Sequence, residues 1–216
     1  MVSLRSKPLY LWDFYLQFSD LLDFLDFSER NLDWQRMSHV QSLNRRAELQ
    51  KYGPDEYYSE LNKIEYRFNV CLSRNIRYAS VIALATAVER VATFLCTRTA
   101  SKLLPESKEV NRSIHVLRTL FKMAGSNLSE NLDTLEKIVK IRNCIAHAMG
   151  SVKDYKYGEE IRNLVSTLAG FRISNEDYIE EAIHLNKGAI EAIIQDTRKW
   201  IVEFIEECRK KNLITL

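Results

Sequence analysis

Glycine and proline are scarce, six and three in 216 residues. So few backbone breakers imply long uninterrupted elements, and helices are the usual outcome. The four cysteines, Cys71, Cys96, Cys144 and Cys208, show no CxxC spacing and do not cluster with histidine. A zinc site is therefore not expected, and reduced thiols in a cytoplasmic protein fit best. No HExxH, EF-hand loop, Gly-rich phosphate loop or GxSxG elbow is present, so no metal or cofactor is expected. Net charge is only +2, which excludes the uniformly basic character of a general polyanion binder. No secretory signal is expected, because Asp13 interrupts the N-terminal apolar run and no small-residue cleavage site follows. The most apolar run, Val81–Cys96, carries Glu89 and Arg90 at its centre, so it reads as a core helix and not a membrane span.

What the chain does have is apolar residues, 46% of the total, enough to bury a substantial core. Charge is unevenly spread: nine basic and three acidic residues from Arg74 to Lys122, against twelve acidic and six basic from Asp154 to Glu207. Ordinary solvated helix faces account for this, although a positive face on a neutral protein would too. The reading along the chain is all-α. Leu9–Arg30 alternates aromatics and leucines with aspartates, as one or two amphipathic helices, with Tyr10, Trp12, Phe14, Tyr15 and Phe18 as a packing or dimer surface. Asp33 would cap a more polar helix ending near Lys51, and Gly53-Pro54 is the clearest breaker of the first half. The expected division is therefore an N-terminal helical extension, 1–54, packed on a helical domain, 55–216. Within the latter, a helical stretch from Asp55 to about Ala100, with a break near Ser73–Asn75, contains a central helix apolar all round. Ser107–Lys122 forms a shorter helix, and Ser129 opens one that Gly150 stops. Ser151–Ala169 is a loop with a short helix. Gly170–Ile173 and Tyr178–Leu185 suit a β-hairpin turning at Ser174–Asp177, with a helix over Ile179–His184 as the competing reading. Ile190 to Cys208 repeats apolar residues every three or four positions, a final amphipathic helix.

His39, His115 and His184 stand alone and read as surface or structural histidines. His147 does not stand alone. On a helix at about 100° per residue, Leu128, Leu132, Leu135, Val139 and Ala146 form one stripe, widened by Ile138 and Ile145. Arg142 falls inside it, about 40° from the centre. A guanidinium cannot shed its charge, so it needs acceptors there, and Glu89, at the end of the other apolar helix, is the natural one. Asn143 and His147, four apart, share the stripe's edge. Three polar groups thus gather where a core helix emerges to a surface or a partner.

Ile141-Arg142-Asn143-Cys144-Ile145-Ala146-His147 resembles the signature of HEPN domains: Arg, often Asn next, then His after four to six residues, late in a helix. Arg77–Glu89 is similar to the HEPN helix whose apolar run ends in Glu, and the element order agrees over about 60–210. The resemblance implies a HEPN-like helical bundle with long antiparallel helices, dimerising, with Arg142, Asn143 and His147 catalytic and Glu89 supporting. It implies a metal-independent ribonuclease of the toxin or antiviral kind, with RNA as substrate, a second copy as partner, and an antitoxin or regulatory protein as the kind of further partner such proteins take. The alternative is a non-catalytic dimeric module binding RNA or a protein, in which Arg142 is structural. One departure is Met149, where some toxins carry the Tyr that a nucleotidyltransferase antitoxin modifies; Tyr155 and Tyr157 do not match that position.

Overall fold

The structure is a computed structural model, and it describes residues 9–99, 112–125, 129–176 and 179–215. It is mostly helical, 79%, with a two-stranded antiparallel hairpin near the C-terminus, as the scarcity of breakers predicts. Helix α1 runs Leu9–Gln50, α2 Pro54–Glu65 and α3 Ser73–Arg98. Next come α4, Arg112–Ala124, α5, Ser129–Ala148, and α6, Gly158–Ser166. Strands β1, Phe171–Glu176, and β2, Ile179–Leu185, precede α7, Ala189–Lys210.

Two helices are longer than the sequence suggests. The expected new helix start at Asp33 is absent: α1 runs through that position unbroken, 42 residues in all. No glycine or proline lies between Leu9 and Gln50, and an exposed Asp in a helix interior costs well under about 1 kcal/mol. The expected break near Ser73–Asn75 is instead a change of pitch just upstream. Tyr66–Leu72 is π-helical, and the Ser73 N–H reaches back to the Phe68 carbonyl. Helices α2 and α3 are thereby joined into one helix from Pro54 to Arg98. This helix contains a window long and apolar enough to cross a membrane, but half of that window is buried within the fold.

The chain forms two compact units, Asp23–Ser80 in one and the residues before and after it in the other. In the unit 23–80, Leu25, Leu43 and Phe68 are buried. Glu29 accepts from Arg77 Nε at 2.8 Å, and Arg36 pairs with Glu65 at 2.8 Å. The α1 aromatics of this unit are not all core, since Phe24, Phe27 and Trp34 are exposed.

In the other unit, α5 packs on α4, α6 and α7, and α4 packs on α7. Trp200 and Phe204 stack one turn apart on α7, with centroids 5.4 Å apart, and Phe121 of α4 lies 4.9 Å from Phe204. Of the expected N-terminal aromatic surface, the side chains of Tyr10 and Trp12 lie outside the described residues. Phe14 meets Phe94 edge-on at 5.0 Å, Tyr15 faces the Arg198 guanidinium at 4.8 Å, and Phe18 is fully buried. Helix α3 is not apolar all round: Ile82, Thr86, Arg90, Thr93 and Thr97 make one exposed stripe. The hairpin pairs Phe171 with Leu185 and Ile173 with Ile183, which excludes a helix over Ile179–His184; the expected turn residue Asp177 lies outside the described residues.

Candidate active site

Helix α5 buries Leu132, Leu135, Ile138, Val139, Ile141, Cys144 and Ile145. This face lies further round than the sequence suggests, because Ala146 is exposed, while Leu128 lies outside the described residues. The rotation leaves Arg142 at the border of the core, its side chain 22% exposed, ion-paired with Glu89 of α3. The carboxylate takes one Nη2 bond, and Arg142 Nε is buried with no partner among the described residues. Asn143 is half-buried and His147, one turn on, is exposed. Helix α5 thus leaves one guanidinium, one amide and one imidazole facing the same opening.

The chain leaving α5 closes that opening on its far side. Met149 and Gly150 take φ of 52° and 82°, a left-handed helix end of the kind glycine favours. The Gly150 N–H donates to the Cys144 carbonyl at 3.4 Å, and the Ser151 N–H to the Ala148 carbonyl at 2.8 Å. The segment is then stitched to β2: Ile183 N–H donates to the Gly150 carbonyl, and Val152 N–H to the Glu181 carbonyl, both at 3.0 Å. Ser151 Oγ donates to Asp154 at 2.6 Å. Gly158 then approaches so closely that a Cβ there would lie 2.3 Å from the Val152 carbonyl oxygen. These contacts bring Asp154, Tyr155, Lys156 and Tyr157 to the same cavity as Glu89, Arg142, Asn143 and His147, a space of about 500 Å³.

Electrostatically the cavity is balanced, with Arg142 and Lys156 set against Glu89 and Asp154. Tyr155 and Tyr157 meet edge to face at 5.8 Å. Burial pushes the Tyr155 phenol above its ordinary range, so it stays a neutral hydroxyl. Burial likewise pushes the Cys144 thiol up to about 11. A thiol so held is a poor nucleophile, which leaves Cys144 a packing residue within the motif. Among the described residues no group of three or more His, Cys, Asp or Glu side chains could hold a metal ion.

Each of the four site residues singled out from sequence therefore lines one cavity, and Glu89 does hold Arg142. Asp154 and Lys156 were not singled out, and the two tyrosines only as failing to match a motif. A Tyr-Lys-Tyr cluster directly after the helix stop was the available signal. No family model, curated protein or solved structure matches the chain. The likeness to HEPN domains therefore rests on the two sequence stretches alone.

Proposed function

We propose that the protein is a metal-independent endoribonuclease of HEPN type, working as a homodimer in which two α5 helices face each other. The observation that carries this reading is the convergence of Arg142, Asn143 and His147 on one open cavity, with Glu89 fixing the guanidinium. RNA brings its own nucleophile. Removing the 2′-hydroxyl proton lets that oxygen attack the adjacent phosphorus, the bond to the 5′-oxygen breaks, and the leaving oxygen takes a proton. Imidazole is suited to moving both protons near neutral pH. Guanidinium is suited to the phosphate oxygens and to the charge that builds on them, and Asn143 can orient His147 or hold a phosphate oxygen. One copy supplies one imidazole and one guanidinium already half neutralised by Glu89; two copies about a two-fold axis supply two of each.

The products are then a 2′,3′-cyclic phosphate and a 5′-hydroxyl. The test is cleavage of mixed-sequence RNA in EDTA, beside a fully 2′-deoxy control, by the unmodified chain and by His147→Ala with its helical content checked. Cleavage of RNA alone, retained in EDTA and lost in the folded variant, is the expected result. Equal cutting of DNA, or a strictly monomeric chain under the assay conditions, overturns the reading. A second reading, a non-catalytic module, is favoured by the Glu89–Arg142 pair itself, since a guanidinium tied to a carboxylate is also how a purely structural arginine is held. A folded parent chain that leaves a broad RNA panel intact decides for that reading.

A further inference from the structure

Tyr157 is a large aromatic on the rim of the cavity and is 51% exposed, where most aromatic rings of a folded chain are covered. It is not carried on a loose loop. The segment leading to it is bonded to β2 through Gly150 and Val152, and Gly158, next to it, is packed on the Val152 carbonyl. The edge-to-face contact with Tyr155 fixes the ring. Beside it, the Lys156 ammonium sits 5.1 Å from the Tyr157 ring centre. Neighbouring cations are committed elsewhere: Lys140 bonds Glu160 at 2.8 Å, Lys153 pairs with Glu180, and Arg162 pairs with Glu159 and Glu181. Among the described residues Lys156 pairs with no carboxylate.

We propose that Tyr157 and Lys156, backed by Tyr155, form a subsite for one nucleotide of single-stranded RNA, next to the scissile phosphate. The proposal rests on the nuclease reading for its placement but is tested apart from it. A flat ring and a mobile ammonium side by side match the two parts of a nucleotide. The base stacks on Tyr157, and the ammonium, displaced from the ring face, moves to the adjoining phosphate. Such stacking needs an unpaired base, so duplex RNA is excluded from the subsite while its phosphates are not.

Binding separates the two proposals. The probe is a fluorescent 12-nucleotide RNA, uniformly 2′-O-methylated so that no cleavage occurs, compared with its duplex and with a strand carrying abasic positions. Fluorescence anisotropy of the full-length chain should show the single strand bound most tightly. Tyr157→Ala should raise its Kd by roughly tenfold, whereas Tyr157→Phe and Tyr157→Trp, which keep a ring, should stay within about threefold of the parent. Lys156→Ala should weaken binding and flatten its salt dependence by about one unit of log–log slope. Equal affinity for intact and abasic strands, or an unchanged Kd in Tyr157→Ala, overturns the subsite even if the chain cleaves RNA. Ring-dependent binding by a chain that cleaves nothing upholds the subsite and removes the nuclease. If Tyr157→Ala fails to fold, the Phe and Trp variants and the abasic strand still decide the matter. A peptide-binding role would appear as no affinity for any strand, which overturns the proposal.

Discussion

Glu29 and Arg77 form a deeply covered ion pair, their side chains 6% and 12% exposed. Little solvent reaches either charge, so removing one leaves the other short of compensation. Glu29→Ala should therefore destabilise the fold by about 3 kcal/mol, read as a lower denaturation midpoint. The double variant Glu29→Met/Arg77→Met should recover most of that loss, because it removes both buried charges together. A single variant as stable as the parent would show that the pair contributes nothing. The Glu89–Arg142 pair is more open, 35% and 22% exposed, and its loss should be felt less in stability than in the position of the guanidinium. At this scale the sequence was partly legible. Arg142 inside an apolar stripe demanded a carboxylate, and a long apolar helix ending in Glu89 offered one. Glu29 gave no such signal, because it is one of many acids on a mixed helix face. Its Arg77 partner lies 48 positions away, and no local pattern encodes that.

Elements with strong local determinants were read correctly. The three- and four-residue repeat of α7 and the turn-bounded, β-rich pattern of the hairpin dictate their own conformation. Where the sequence misled, the deciding factor lay in tertiary contacts or in small local energies. A single aspartate did not divide α1 into two helices. A π-helical turn at Tyr66–Leu72 leaves no mark on hydrophobic spacing. The exposed stripe of α3 depends on what the neighbouring helices leave uncovered. The return of residues 154–157 to the cavity is of the same kind, because it rests on β2 pairing with Gly150 and Val152 across about 30 residues. Gly158 tests that element directly. A methyl group at that position meets the Val152 carbonyl at 2.3 Å, and the obstacle is backbone, which cannot rotate aside. Gly158→Ala should cost about 1–3 kcal/mol by overpacking, together with faster amide exchange at Val152. Wild-type stability and unchanged exchange would mean that the segment adjusts freely, and a rigid Tyr157 platform would lose its support.

Two thiols buried between helices contribute to the whole molecule's response to alkali. Cys144 on α5 and Cys208 on α7 are fully covered, and burial pushes them up to about 11 and about 12 from an ordinary 9.0. In the unfolded chain both ionise near that ordinary value. Above pH 9 the unfolded state therefore binds fewer protons than the native state, and stability falls as pH rises through the native values. The contribution is fully present below pH 9, and each thiol adds a slope of up to about 1.4 kcal/mol per pH unit. The Tyr155 phenol, raised by burial, and the Lys140 ammonium, raised by its bond to Glu160, act in the same direction at higher pH. Urea midpoints measured with reductant from pH 8 to pH 10.5 should hold nearly level to about pH 9 and fall above it. The double variant Cys144→Ala/Cys208→Ala should start less stable at pH 8, because it leaves small cavities, yet fall more gently. A midpoint that stays level, or two parallel curves, would place the pH response elsewhere and would mean that water reaches the α5–α7 interior.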